Sequence, residues 1–541
     1  MLMKKILSLA TLAFMATSFL NAQTPEIHPG EAFSGISPDG KYVVSVVYEV
    51  VTIHDRAKDL KYEYVESYHV GNGNAISNTG IVVGQSIEDV AQYWKDGEWF
   101  DIKSAATRNM SKADGITPDG TRIVGAVSPE SFTGGYDGLM LTPCYWDVQA
   151  DGTIGDFNAL PYPEKDLSGR IPQYITAIRV SDDGKTIAGQ IMDYGGMVCQ
   201  PIIYRQNEDG EWSYTLIHNE LFHPEGIVLP EDPGEWEDEF PQPEAFMGEE
   251  ALADYNKAME EYWETWENMP NAEDYMNEEE TAAYQAALAA YNDWEQKWTA
   301  FSEAYTQLVQ AVPSFTFNNV LLSNDGKTYV SSKQSGDFFS GYTYVPSVFN
   351  LENDTYKVYS SDLTLTVTSL ANDGTILAQK PATFMNPETE AYILPAGSEK
   401  FMPLYDYFVT ANPALAEWMK DNMTHEYTVY EYDPETWEES SYTTQTIATG
   451  IPFTNADMSL IVIGVENFWF DWENGDIDTY QPAYGYILPT NYVTTSVNAL
   501  NATDNGKVEY YTIDGRKVNT PVKGLNIVKM ANGKTKKTVV K

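Results

Sequence analysis

The chain has 541 residues, with 33 Lys and Arg against 79 Asp and Glu, and therefore a formal net charge of −46. Hydrophobic residues make up 43% of it and aromatic residues 13%, which excludes a disordered protein despite the charge. The acidity argues against a nucleic acid partner, because contacts to phosphates need clustered Lys and Arg. Two cysteines are too few for a disulfide scaffold or a cysteine zinc site.

The first residues have the pattern of a secretory signal peptide. Lys4 and Lys5 precede an apolar stretch of 15 residues from Ile6 to Leu20, and Ala22 is a small residue suited to cleavage. The stretch is short for a membrane anchor, and no later segment reaches 18 apolar residues. We therefore expect residues 1–22 to be a signal peptide and the mature protein to be exported, with no transmembrane segment.

A short phrase recurs through the chain. It consists of an apolar residue, Ser or Thr, a polar turn that ends in Gly, and a β-rich run. Asp favours the turn, and Gly accepts the positive φ that other residues avoid. The turn residues are Asp39, Gly40, Gly80, Asp119, Gly120, Asp183, Gly184, Asp325, Gly326, Asp373 and Gly374, and a decayed copy covers residues 455–459.

The spacing of the copies predicts a closed ring of small sheets. The copies start 40, 40, 64, 142, 48 and 85 residues apart, and 40 residues match one four-stranded propeller blade. A propeller of about seven blades is favoured over an open solenoid or two sandwiches, because closure hides the edge strands. We place its two parts at residues 23–222 and 313–495.

The phrase resembles a known kind of repeat. Ile116-Thr117-Pro118-Asp119-Gly120, followed by TRIVGAV, is similar to the HAF-type repeats of extracellular bacterial β-propellers. More loosely, it is similar to the Ser-Pro-Asp-Gly-Lys turns of TolB-like propellers. The resemblance covers roughly residues 30–490. It implies a mainly β propeller fold and is nearly silent on function.

Residues 223–312 interrupt the repeats with a different composition. Residues 225–300 hold 22 acidic and 2 basic side chains. Apolar residues recur at intervals of three and four over 252–269 and again over 284–308, which predicts two helices. The connection between them is short, so we expect an antiparallel helical hairpin.

The ends of these helices carry recognisable signals. Pro270 is expected to stop the first helix, and Asn277 with Glu280 predicts a capping box on the second. The aromatic seams of the helices either face each other or the propeller, or they form an arm that binds a partner. Between the last two repeats we also expect a short helix from Asn412 to Lys420 and a hairpin over 427–444.

The last residues change character. Residues 507–541 contain 9 Lys and Arg against 2 Asp and Glu, which marks a boundary, and we assign 496–541 to a separate small β-sandwich-like domain. Strands are predicted at Val508–Ile513, Gly524–Lys529 and Lys536–Lys541, with Asp-Gly and Asn-Gly turns between them.

This tail closely resembles the C-terminal sorting domain of cargo of the type IX secretion system of Bacteroidetes. The matching residues are Asp514, Gly515, Arg516, Gly524, Ile527, Val528, Lys529 and Lys541. Leu525-Asn526 departs from the usual pattern, in which an aliphatic residue precedes Tyr. The resemblance implies the type IX secretion machinery as a partner and a secreted or outer-membrane surface location. The sequence leaves open whether the tail is removed, and an accessory β domain that binds the propeller is the alternative.

Motifs of catalysis are absent from the sequence. No nucleophile elbow, Walker loop or dinucleotide fingerprint occurs, and His218 and His223 are five residues apart, which is not the spacing of a helical zinc site. The acidic segment 471–478 is better explained as a turn between two strands than as a calcium-binding loop. We therefore predict no catalytic, cofactor-binding or metal-binding residues and no cofactor.

The sequence favours one function and leaves a second open. The first is a non-enzymatic binding or scaffold protein on the cell surface or secreted, which binds a protein or a glycan. The second is an extracellular propeller hydrolase that acts on polysaccharide, for which carboxylates would have to converge in the channel. Cys144 and Cys199 either pair in an oxidising compartment or remain two buried thiols.

Overall fold

The computed structural model describes most of the chain. The described residues are 24–47, 50–65, 69–70, 75–86, 88–106, 108, 110–128, 141–172, 174–193, 195–234, 236, 240–337, 341–359, 363–381, 389–432, 439–465, 483–493, 509–512, 517–518, 524–529 and 535–540. The predicted signal peptide at 1–22 and the acidic segment 471–478 lie outside them.

Seven four-stranded antiparallel sheets form the blades of a β-propeller, which confirms the predicted fold and blade number. In blades 1 to 6 the four strands lie in sequence order. Blade 1 comprises β2 (Phe33–Ile36), β3 (Tyr42–Val47), β4 (Val50–Asp55) and β5 (Leu60–Val65), and blade 2 comprises β6 (His69–Val70), β7 (Val82–Gln85), β8 (Ala91–Lys95) and β9 (Glu98–Asp101). Blade 3 comprises β10 (Ser111–Ile116), β11 (Arg122–Val127), β12 (Thr142–Val148) and β13 (Ile154–Ala159).

The remaining blades follow in the same way. Blade 4 comprises β14 (Tyr174–Val180), β15 (Thr186–Met192), β16 (Cys199–Gln206) and β17 (Trp212–Leu216), and blade 5 comprises β18 (Ser314–Leu322), β19 (Thr328–Asp337), β20 (Gly341–Asn350) and β21 (Thr355–Val358). Blade 6 comprises β22 (Thr366–Leu370), β23 (Ile376–Lys380), β24 (Glu390–Leu394) and β25 (Met402–Pro403), and blade 7 comprises β28 (Ile451–Thr454), β29 (Leu460–Val465), β30 (Tyr484–Pro489) and the N-terminal β1 (Glu26–Pro29).

The first strands of the blades surround the central channel. β10 contacts β14, β14 contacts β18, β18 contacts β22, β22 contacts β28, and β28 contacts β2. The ring is closed by β1, which pairs antiparallel with β30 and places Glu26 opposite Ile487. The first strand of the chain therefore completes its last blade, and the closed ring leaves few sheet edges unpaired.

Large side chains on the third strands fill the space between blades. Trp94 on β8, Trp146 on β12, Tyr204 on β16 and Phe349 on β20 are all almost completely buried. Because aromatic side chains contribute large buried apolar areas, they account for much of the packing between neighbouring sheets.

The insertion after blade 4 contains two helices, as predicted. They are α1 (Glu249–Thr265) and α2 (Glu278–Ala311). The predicted capping box is present: the Asn277 side chain accepts hydrogen bonds from the N–H groups of Glu279 and Glu280, and Glu280 accepts one from the Asn277 N–H. The prediction that Pro270 stops α1 was wrong by one turn, because the helix ends at Thr265 and Trp266 already takes a left-handed conformation.

The contacts of the two helices show what their aromatic seams face. Glu280 in the first turn of α2 accepts a hydrogen bond from the N–H of Gly248, the N-cap of α1, at 2.7 Å. Further along α2, Trp294 packs against Trp236, which belongs to the acidic lead-in, the segment that precedes α1. The indole N–H of Trp294 donates a hydrogen bond to the Gly234 carbonyl at 3.1 Å. Phe301 and Leu308 near the C-terminal end of α2 are buried. The seam of α2 therefore faces the lead-in and the propeller.

The second insertion and the tail contain the predicted helix, hairpin and strands, but the first helix of the insertion was not predicted. Helices α3 (Leu404–Ala411) and α4 (Pro413–Asn422) precede the hairpin of β26 (Thr424–Tyr432) and β27 (Glu439–Ile447). The tail forms one sheet in the order β32, β31, β33, β34, made of β31 (Glu509–Thr512), β32 (Lys517–Val518), β33 (Gly524–Lys529) and β34 (Thr535–Val540). The short β32 was not predicted. None of the helices among the described residues is long and apolar enough to cross a membrane.

Candidate functional site: the central channel

The predicted repeat turns lie next to one another on one face of the ring. Each turn joins the first and second strands of its blade, and backbone hydrogen bonds link turns of neighbouring blades. The Asn78 N–H donates to the Pro118 carbonyl at 2.8 Å, and the Ala456 N–H donates to the Pro38 carbonyl at 2.9 Å. The second bond joins blade 7 to blade 1, so the turns also contribute to closing the ring.

The predicted turn residues serve their own turns. In blade 3 the Asp119 carboxylate accepts hydrogen bonds from the Thr117 hydroxyl at 2.7 Å and from the Thr121 N–H at 3.0 Å, and Gly120 has a φ of +75°. Burial opposes ionisation of Asp119, but the bonds from Thr117 and Thr121 prevail and lower its pKa. The same Asp geometry recurs at Asp39, Asp183, Asp325 and Asp373, and the glycines Gly40, Gly80, Gly184, Gly326 and Gly374 all have positive φ. These residues shape the turns and leave few free groups for a ligand.

The strands that precede the turns bring charged side chains into the channel. Lys112 lies on β10, and its Nζ is 3.1 Å from Oδ2 of Asp114 on the same strand and 3.3 Å from Oδ1 of Asn318 on β18. Blade 4 separates the blades of β10 and β18, so a contact between their first strands crosses the interior of the ring. The Lys112 side chain is only 10% exposed.

A second cation lies beside this pair. Arg179 on β14 is 5% exposed, and its guanidinium donates to the carbonyl of Ile178 at 3.0 Å and to that of Asp114 at 3.4 Å. Burial lowers the pKa of the Arg179 guanidinium to about 10, and the nearby Asp114 works in the opposite direction. Arg179 therefore remains charged at neutral pH.

Two aromatic rings lie beside these charged side chains. The ring of Phe317 lies 5.6 Å from Nζ of Lys112 and makes an edge contact with Tyr174 at 5.4 Å between centroids. Gln190, which is fully buried, accepts a hydrogen bond from the Asn318 N–H at 2.8 Å, and Asn318 has a φ of +58°. A left-handed Asn held in place by a buried amide is a local conformational cost of the kind that collects at binding sites.

We call Lys112, Asp114, Arg179, Phe317 and Asn318 the channel cluster. It has two cations and one carboxylate, and therefore an excess of one positive charge inside a strongly acidic protein. Within the described first strands of the seven blades, Asp114 is the only carboxylate. The arrangement is suited to holding an anionic group beside an aromatic ring.

Sequence reasoning missed the channel cluster. The signal that could have found it is a charged residue inside a first strand, just before a turn, as in SKADGIT and TAIRVS. At the equivalent positions the other blades carry small or apolar residues, such as Gly35, Leu321 and Ser369. A charge in such a position has no structural need to be there, since small residues suffice elsewhere in the ring.

A polar cleft of about 430 Å³ lies where the ring closes, between blades 7 and 1. The carboxylate of Glu26 on β1 forms an ion pair with Arg56 at 3.1 Å and lies 3.1 Å from Nε2 of His28 on the same strand. His54, whose pKa is lowered by burial, lies with its Nε2 3.7 Å from Oδ1 of Asp59. The ion pair with Arg56 ties β1 to blade 1 and so contributes to the closure of the ring.

The described residues give little support to a reactive cysteine or to a metal-binding site. Cys144 on β12 and Cys199 on β16 are both free and buried, so the structure favours two buried thiols over a disulfide. Burial raises the pKa of both thiols, which makes them unreactive. In the part of the chain that the structure describes, no group of three or more His, Cys, Asp and Glu side chains is placed to hold a metal ion.

No family model matches the chain, and no curated protein matches it. Among solved structures, TolB from Acinetobacter baumannii is 10% identical with a TM-score of 0.30, and the match covers 68% of this chain and 62% of TolB. The β-propeller domain of the Trilobed protease from Pyrococcus furiosus is 8% identical with a TM-score of 0.29, over 87% of this chain and 100% of that domain. A prolyl endopeptidase is 10% identical with a TM-score of 0.38, and this chain spans 54% of its length. The propeller assignment itself rests on the seven sheets and their circular order.

Proposed function

We propose that this protein is an exported β-propeller that recognises a ligand in its channel and does not catalyse a reaction. The observation that carries the proposal is the composition of the channel cluster. Hydrolysis of a glycosidic bond uses two carboxyl groups. The described first strands offer one, Asp114, and it is engaged by Lys112. A cluster of this kind binds an anion better than it cleaves a sugar.

The charges indicate the class of ligand. Lys112 and Arg179 are both buried and share the single carboxylate of Asp114, so the channel cluster has one cation more than it has carboxylates. A carboxylate from the ligand would complete the balance and could form charge-assisted hydrogen bonds with Lys112. The ring of Phe317 offers a flat apolar surface beside that position. We therefore expect an acidic sugar or the C-terminal carboxylate of a peptide.

Binding arrays with product analysis test this function. The mature chain would be applied to uronic-acid oligosaccharides, neutral oligosaccharides and peptides with free or amidated C-termini. We expect acidic ligands to bind without being cleaved, and Lys112→Met to weaken binding at least tenfold. The matched control is Lys41→Met, because Lys41 lies on an exposed turn with its side chain 57% exposed. Cleavage of a bound glycan, or equal binding by Lys112→Met, would contradict the proposal.

We propose further that the chain is exported by type IX secretion and ends on the outer-membrane surface or outside the cell. Support comes from the signal peptide pattern and from the sorting motif residues, from Asp514 to Lys541, which occur in order in the last segment. The strands of that segment pair into one small sheet of its own. In a bacterium that has the type IX machinery, we expect deletion of residues 507–541 to trap the protein in the periplasm. Surface exposure of the truncated chain would refute this route.

A further inference from the structure

The C-terminal end of α1 carries an exposed group of apolar side chains. Trp263 is 55% exposed, Trp266 is 69% exposed and Met269 is 64% exposed. The rings of Tyr262, Trp263 and Trp266 contact one another, with centroids 5.1 to 5.9 Å apart. We call these four residues the aromatic tip. Burial of these side chains in the protein would have been favourable, so their exposure calls for another explanation.

The backbone at the aromatic tip is itself costly. Trp266 caps α1 with a φ of +57°, a conformation for which helices usually employ Gly. A bulky residue in this conformation is strained. Gly at this position would end the helix equally well. The fold alone does not account for a Trp at 266, which is displayed at the helix end with most of its surface in solvent.

The charged residues that flank the aromatic tip in the sequence are all acidic. Glu261 and Glu264 lie in the last turns of α1 and Glu267 follows Trp266, and all three are exposed. No Lys, Arg or His occurs between Lys257 and Lys297 in the sequence. The C-terminal end of a helix adds a partial negative charge, and basic residues usually occupy it, but the last turn of α1 has none.

We propose that the aromatic tip is a docking site for a basic segment of a partner protein, one that presents Arg or Lys side chains. Three features converge on this chemistry: open indole faces, which attract cations; three carboxylates; and the negative end of a helix. Long basic side chains also bring apolar stems that can cover Trp263 and Met269. Anionic membrane surfaces would be repelled by the same carboxylates. The proposal concerns a second site and is independent of the channel cluster.

The test uses the full chain and a decapeptide of alternating Arg and Ala at 150 mM salt, with affinity measured by calorimetry. The informative variant is Trp266→Gly. It removes the most exposed ring and also relieves the strained backbone, so the variant should be at least as heat-stable as the natural chain. We expect its affinity for the peptide to fall about tenfold or more, as for loss of a cation–π contact with supporting apolar contacts. Trp298→Ala is the matched control, because Trp298 on α2 is also exposed, at 44%.

Every outcome of this experiment either supports or overturns the proposal. A weaker complex with Trp266→Gly and an unchanged complex with Trp298→Ala would support the aromatic tip as the docking site. Equal binding by the natural chain and by Trp266→Gly would show attraction to the overall acidity of the protein, and would overturn the proposal. No binding of the peptide would overturn it as well. Binding of cellohexaose in place of the peptide would overturn it and assign the rings to a neutral glycan.

Discussion

The hydroxyl group of Tyr305 on α2 donates a hydrogen bond to the carboxylate of Asp193, in the loop between β15 and β16. Asp193 is 3% exposed and also accepts hydrogen bonds from the N–H groups of Met197 and Val198, both at 2.8 Å. A Cβ atom at Gly195 would lie 2.5 Å from the Tyr305 hydroxyl, so the loop fits the helix closely. This contact fastens the C-terminal part of α2 to blade 4.

The attachment of α2 should weaken as the pH rises. Burial raises the pKa of Asp193 to about 6, although two backbone N–H groups work against the rise. An acid whose pKa is higher in the folded than in the unfolded protein stabilises the fold below its unfolded pKa and loses that effect as the pH passes its folded pKa. We expect the opening equilibrium of residues 301–311, measured by hydrogen exchange and corrected for intrinsic rates, to rise about tenfold or more between pH 5 and pH 7.5. Asp193→Asn should flatten this dependence, and a flat profile in the natural protein would contradict the assignment.

Removal of the channel carboxylate should be strongly destabilising. Asp114→Ala removes the carboxylate that faces both Lys112 and Arg179 in this buried cluster, which we expect to cost about 3 kcal/mol. The measurement is the free energy of unfolding in urea. The control is Glu352→Ala, which breaks the exposed pair of Glu352 and Lys327 at 2.7 Å and should cost far less, because solvent screens that pair. Equal costs for the two variants would show that the channel is well hydrated.

The capping box of α2 offers a local test of the helical insertion. Asn277→Ala removes the acceptor for two N–H groups and should cost about 1 kcal/mol. Glu280→Ala should cost more, because Glu280 also accepts the hydrogen bond from Gly248 at the start of α1. Helix content followed by circular dichroism during heating measures both. Glu279→Ala, at an exposed neighbouring position, serves as the control and should shift the transition much less, because it removes only a first-turn charge.

Two turn glycines separate backbone strain from crowding. Gly374 has a φ of +89° and open space where a Cβ would lie, so Gly374→Ala should cost only the left-handed strain, about 1 kcal/mol. Gly120 has a similar φ, but a Cβ there would lie 2.5 Å from Oγ1 of Thr79 in the turn of blade 2. Gly120→Ala should therefore be clearly worse in urea unfolding. A reversed order would mean that the turns of neighbouring blades are not packed together in solution.

The regular parts of the propeller were predictable because they follow from local chemistry. A turn such as Thr117 to Gly120 is specified by its own side chains, and the 40-residue intervals between the first three copies indicate the length of one blade. The capping box at Asn277 was predictable for the same reason. The end of α1 was not predictable, because Trp266 adopts the left-handed conformation that residue preferences assign to Gly.

The channel cluster could not be predicted, because it depends on distances across the ring. Lys112 and Asn318 are 206 positions apart in the sequence and meet only once blades 3, 4 and 5 are stacked. The contact of Tyr305 with Asp193 has the same character, since it joins an inserted helix to a loop 112 positions earlier. Local patterns carry no information about such pairs.

The closure of the ring by β1 also governs the order in which the protein can fold. Glu26 and Ile487 are paired although 461 positions separate them, so the last blade stays incomplete until nearly the whole propeller has been delivered. Contacts at such a distance form late and slow the overall reaction. Until then β30 has an open edge, which is a site for mispairing with other chains. Proteolysis that removed Glu26 to Pro29 would recreate that open edge in the finished protein, so cleavage of the proposed signal peptide would have to spare this strand.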